Sequence, residues 1–159
     1  MRSRDNSTGW LRRLFGSRQP APLDQDRRDL VVVASSFDDV EACSTVLDRA
    51  AAEDPRWEAD AEAVLRHHLR LPAAAAADAA SIAAQDGYRP QDPDETPSSS
   101  SPDEADATVA LVLQRVQILD ALHCSQERSR MAGLAQRLGG SVDGWDAMQP
   151  ARESDPAGD

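Results

Sequence analysis

Between residues 30 and 150 the apolar positions fall into short runs of two rhythms, and each rhythm predicts an element. Leu30 to Ala34 form a β-branched and apolar run that reads as a short buried strand. Ser36 then has the chemistry of a helix N-cap, with Asp39 three residues on, and Val40, Cys43, Val46, Leu47, Ala50 and Ala51 make one apolar stripe that Pro55 ends. Residues 63 to 71, AVLRHHLRL, alternate loosely and read as a strand. Pro72 can open the alanine-rich helix after it, and Gly87 stops that helix. Tyr88 begins a short extended piece. Thr108 to Ile118, TVALVLQRVQI, is apolar on both faces in its first half and alternating in its second, which predicts a strand at the centre of its sheet. From Ser125 to Leu138 the spacing of Met131, Leu134, Ala135 and Leu138 predicts a helix, and Gly139 and Gly140 terminate it. The last strand begins at Ser141 or Val142.

From residue 63 the order is therefore β-α-β-β-α-β. With right-handed crossovers it predicts an α+β, ferredoxin-like sandwich: a four-stranded antiparallel sheet covered on one face by two helices, with an extra strand and helix in front. The expected domain spans residues 29–150, with its core in 63–150. Residues 1–28, rich in Gly, Pro, Ser and charge, read as a disordered basic arm; 91–106, rich in Pro, Ser and acid, as a mobile loop; and 151–159 as a disordered tail. Within the arm, Trp10, Leu11, Leu14 and Phe15 share one helical face that could rest on an anionic membrane or fill a partner's groove. A short sticky patch in a floppy tail is the plainer reading, because isolated helices this short are marginal in water.

Charge narrows the partners. The 159 residues carry a net charge of −11, and all 17 basic residues are arginine. Residues 1–28 hold seven arginines against Asp5, Asp24 and Asp26, a net +4 that leaves −15 on the rest. A domain of that sign should be attracted to basic protein surfaces and avoid the phosphates of RNA or DNA. Cys43 and Cys124 lack C-x-x-C spacing, and no apolar stretch is long enough for a secretory or membrane-spanning segment, so a reducing cytoplasm is the expected setting. Cys43 lies on an apolar stripe and reads as a small core residue.

Catalytic constellations are missing from the sequence. It has no G-x-S-x-G, no phosphate-binding loop, no H-E-x-x-H and no Cys/His set with zinc spacing. His67 and His68 are adjacent on a predicted strand, so they point to opposite faces and cannot both hold one metal. His123 beside Cys124 falls in a connecting segment without an orienting acid. The expectation is a non-enzyme with no cofactor and no metal.

What remains is HHL before the first core helix, GY after it, and GG-x-x-DGW after the second. These motifs, in this order, resemble the family of regulators of ribonuclease E activity of type B (RraB), small acidic ferredoxin-like proteins of bacteria. The matching residues are His67, His68 and Leu69; Gly87 and Tyr88, followed by Asp92 and Pro93; and Asp143, Gly144 and Trp145, with Val142 where the family tends to have tyrosine. The resemblance covers about residues 37–150. It implies a protein that binds ribonuclease E, or its arginine-rich scaffold region, and reduces RNA cleavage without catalysing anything. The basic arm, the long Pro/Ser loop and the weakly acidic tail ARESDPAGD depart from the family pattern. On the chemistry of the residues, Gly144 reads as a bulge or close approach and Trp145 either covers the sheet or serves as a partner's hot spot. Asp143, Gly144, Trp145, His67, His68 and Tyr88 are thus the candidate partner-binding residues. A different protein-binding or small-molecule-sensing module on the same fold is the alternative, since ferredoxin-like domains host many functions; the expected open face, weakly apolar with Arg66, Arg70, Arg115 and Gln117 interspersed, gives it little support.

Overall fold

A computed structural model describes residues 21–92 and 107–152. The expected helical face of Trp10, Leu11, Leu14 and Phe15, most of the Pro/Ser loop and the tail from residue 153 lie outside the described residues. The elements are β1 (Leu30–Ser36), α1 (Cys43–Ala50), β2 (Glu62–Pro72), a 3-10 turn (Ala73–Ala75) leading into α2 (Ala76–Ala84), β3 (Arg89–Pro90), β4 (Thr108–Ile118), α3 (Ala121–Arg137) and β5 (Ser141–Pro150). The five strands form one sheet in the order β1-β5-β2-β4-β3, and every neighbouring pair is antiparallel.

Strand alternation decides which residues meet the helices. On β2, Ala63, Leu65, His67, Leu69 and Leu71 point to the helix-covered side and are all buried. Their helix partners divide the core in two. One cluster joins Cys43, Val46, Leu47 and Ala50 of α1 to Leu65, Cys124, Trp145 and Ala147. The other joins Ala79 and Ala83 of α2 to Leu69, Leu71, Tyr88, Leu113 and Met131. Alanine suits α2 because its short side chains let the helix lie close to the sheet.

Four expectations are corrected. Ser36 ends β1 instead of capping a helix; its hydroxyl bonds Asp38 O at 3.2 Å and Glu41 Oε2 at 2.8 Å, and Asp38 Oδ1 accepts the Val40 N–H at 3.0 Å. That turn delays α1 to Cys43 and leaves Val40 exposed. Helix α3 starts four residues early because Asp120 is its N-cap, accepting the His123 N–H at 2.8 Å, so His123 and Cys124 sit in its first turn. The central strand is β2, whereas β4 has only the short β3 beyond it, which leaves Thr108 and Ala110 exposed. Arg115 and Gln117, assigned by pattern to the open face, stand opposite Leu65 and Ala63 and so lie on the helix side.

Gly139 ends α3 with φ at +79°, a conformation that disfavours any side chain. At the other end of the chain, residues 21–28 lie against the sheet. The Leu23 N–H donates to Glu62 Oε2 at 2.6 Å, and Asp26 pairs with Arg89. Gln25 to Arg28 wall an open-face hollow of about 620 Å³ whose floor includes Arg66, Gln114 and Met148.

Candidate functional site

The DGW motif builds a β-bulge. Along the β2–β5 ladder His68 pairs with Gly144 and Leu69 with Val142, so Asp143 is the extra residue. The slip lets Val142 and Trp145 both face the helices, while Asp143 points the other way and pairs with Arg70 at 2.7 Å on the surface. Trp145 is 1% exposed and fills the first core cluster. Gly144 has to be glycine because a Cβ there would come within 2.5 Å of the Ser36 carbonyl oxygen and of the Phe37 ring. Phe37 takes the space a side chain would use and lies tilted against His68, with ring centroids 5.3 Å apart.

Beneath the helices a polar seam separates the two apolar clusters. His67 is fully buried, 5.7 Å from the Tyr88 ring and edge-on to it. The Tyr88 hydroxyl donates to Glu127 Oε2 at 2.7 Å, and Arg115 reaches Glu127 at 3.2 Å while lying over the Tyr88 ring, 4.6 Å from its centroid. Burial pushes the His67 pKa down to about 4, so the ring stays neutral, and burial with the Glu127 bond pushes the Tyr88 hydroxyl up. Burial alone would raise the Glu127 carboxyl, but the Tyr88 hydrogen bond and the Arg115 and Arg130 charges prevail and hold it below its ordinary value. His67 Nδ1 and Trp145 Nε1 have no partner among the described residues, and both rings border a hollow of about 520 Å³ between α3 and β5.

The open side carries an ion cluster. Arg66 donates to both oxygens of Asp146, at 2.6 and 2.8 Å, and His68 Nε2 lies 2.8 Å from Oδ2. Burial works against the Asp146 charge, yet the His68 and Arg66 hydrogen bonds outweigh it and lower its pKa. Of the six candidate residues, Trp145, His67 and Tyr88 are therefore buried, whereas Asp143 and His68 reach the surface around Gly144.

Sequence reasoning missed Asp146, Glu127 and Arg115. Asp146 had a signal: it is the next residue on the open side after Gly144 and stands opposite Arg66. Glu127 had none, since nothing local shows that a helix carboxylate will meet a tyrosine 39 residues earlier in the chain.

Chemically this is an arrangement of held protons. Burial and the neighbouring Cys43 push the Cys124 thiol up, away from the reactive thiolate. Among the described residues no three His, Cys, Asp or Glu side chains gather as a metal site, and no helix is long and apolar enough to cross a membrane. Comparison with curated proteins and with solved structures found no match. The model of the family described as Regulator of ribonuclease activity B matches residues 49–147, more than half of the chain and the stretch that holds the HHL, GY and DGW motifs, and the chain belongs to that family.

Proposed function

We propose that this chain is a non-catalytic regulator that binds an endoribonuclease of the E type, or its arginine-rich scaffold region, in the cytoplasm and lowers its cleavage of RNA. The observation that carries this reading is the family match across residues 49–147, which establishes regulation of ribonuclease activity as the general role. The mode of action follows from charge. Residues 29–159, of net −15, compete with RNA phosphates for the same basic groups on the nuclease, so binding weakens as salt rises. Contact falls to the exposed Asp143 and the partly exposed His68, with Gly144, Trp145, His67 and Tyr88 shaping the surface from below. We further read β2 to β5 as a ferredoxin-like sandwich with β1 and α1 added; the order β5-β2-β4-β3 with antiparallel neighbours supports it.

The direct test is an RNA cleavage assay with the nuclease recovered from the native host, titrated with this protein at low and high salt. Cleavage should fall with added protein at low salt and recover as salt rises. An unchanged rate at saturating protein in low salt overturns the reading.

A further inference from the structure

The hollow between α3 and β5 has an unusual floor. It is made by the His67 and Trp145 rings, both buried, which stand opposite each other on the β2–β5 ladder. One wall is a face of α3 whose residues there are small: Ser125, Ser129 and Ala132 are spaced to lie in one row and leave the space above the rings unfilled. The other side is open because β1 stops at Ser36, opposite Trp145, so among the described residues Ser141 to Gly144 ladder with β2 alone. At about 520 Å³ the hollow has the size of a site for a small organic molecule.

The two nitrogens on this floor have defined roles. The Trp145 indole can only donate. For His67 the tautomer follows from its neighbour in the seam. The Tyr88 hydroxyl gives its proton to Glu127, so its 3.5 Å contact with His67 Nε2 requires the ring proton on Nε2. Burial keeps the ring neutral, which leaves Nδ1 as an acceptor. One N–H and one lone pair thus lie on adjacent cross-strand side chains, and neither has a partner among the described residues. Buried polar groups without partners are costly, and a ligand that satisfies both recovers that cost on binding.

The lining also selects against charge. Arg128 is its one cation, and its guanidinium already donates to the Glu41 and Asp38 carbonyls. Asp143 is paired with Arg70, which still leaves Asp38 and Asp39 beside Arg128, so an anion gains little there. A cation brings no acceptor for the indole N–H. An uncharged group with a C=O beside an N–H matches both nitrogens.

We propose that the hollow between α3 and β5 binds a small uncharged molecule by a carboxamide-type edge, whose C=O accepts from Trp145 Nε1 and whose N–H donates to His67 Nδ1. The rest of the molecule lies along Ser125, Ser129 and Ala132. This site goes beyond the ribonuclease reading and does not depend on it.

The test titrates the full, isotope-labelled chain with benzamide and follows its amide and indole N–H signals by NMR. Acetophenone, which keeps the C=O and lacks the N–H, and benzoate, which is charged, are the controls. Benzamide should move the Trp145 indole signal and the amides of residues 125–136 and 141–145. Acetophenone should bind about tenfold more weakly, the loss of one hydrogen bond, and benzoate more weakly still. Trp145→Phe identifies the indole signal, keeps a buried ring and removes the donor, so benzamide affinity should fall about tenfold. Ala132→Phe, at an exposed position of α3, fills the hollow from its wall and should abolish binding; it answers the question if Trp145→Phe fails to fold. No response to benzamide up to its solubility limit, equal affinity for benzamide and either control, or binding unaltered in a folded variant overturns the proposal. So does a water held at the two nitrogens while benzamide leaves both signals in place.

Discussion

His67 and His68 are neighbours on one strand, yet the sheet gives them opposite lives. His67 lies buried in the seam under the helices, neutral down to a pH of about 4. His68 stands on the open side, partly exposed, touching the Asp146 carboxylate and the Phe37 ring. The same contrast separates Trp145 from Asp146 and, across the bulge, Val142 from Asp143. The helix side uses polar groups sparingly and holds them neutral or fully paired. The open side gathers charge into one nearly buried cluster and spends its remaining surface on solvated ion pairs.

The comparison breaks most visibly at Trp145. If the indole is core, Trp145→Ala should cost about 4 kcal/mol, the usual range for removing a buried aromatic. Urea unfolding followed by circular dichroism would show it as a lower midpoint with an unchanged slope. A cost under about 1 kcal/mol would put the side chain outside the core and make it a direct partner contact.

On the open side the sharpest change is Asp146→Ala, which leaves Arg66 half of a buried pair and should cost about 3 kcal/mol. Replacing both, as Arg66→Met with Asp146→Leu, should recover most of that loss, because apolar groups need no partner. Thermal unfolding of the single and double variants decides it. A double variant as unstable as the single one would show that the cluster contributes more than its own neutralisation, through His68.

The seam can be probed by pH alone. The His67 pKa falls from an ordinary 6.5 in the unfolded chain to about 4 in the folded one, so the unfolded state takes up the proton first. Its contribution is fully present above pH 6.5 and drains away as pH falls toward 4. Between pH 7 and pH 5 the loss should be about 2 kcal/mol. His67→Gln should flatten that slope relative to the parent protein, which shares His68 and His123. The Asp146 and Glu127 carboxyls, both lowered, begin to lose their contributions as pH falls through the ordinary carboxylate range, where the His67 contribution is already draining, so the His67→Gln comparison is read above pH 5.

The sequence made one part of this legible and hid another, for physical reasons. Strand boundaries at Leu30, Ala63, Thr108 and Ser141 came out within a residue or two because periodicity reports local geometry. The opposite facing of His67 and His68 followed from the same rule. Ser36 misled because a serine at a strand end and a serine N-cap look alike until the downstream turn is known. The rank of β4 in the sheet was misjudged because apolar content cannot tell a central strand from one covered by a two-residue neighbour. The Tyr88–Glu127 bond and the Arg66–Asp146 cluster join residues 39 and 80 positions apart, and only folding brings them together.

The smallest expected stability change is the most informative about function. Asp143 and Asp146 are three residues apart on β5, and both pair with an arginine of β2, yet Asp143 and Arg70 are 38% and 60% exposed at their side chains. Solvent screens such a pair, so Asp143→Asn should move stability by no more than about 0.5 kcal/mol. The change also removes one exposed carboxylate from the surface around the bulge and frees Arg70 on the face proposed above to meet basic partners. Affinity for the nuclease should fall severalfold at low salt, with the difference shrinking as salt rises, while the unfolding midpoint stays in place. Equal affinity for Asp143→Asn and the parent at every salt concentration would move the interface away from the bulge and leave the DGW motif with a structural role alone.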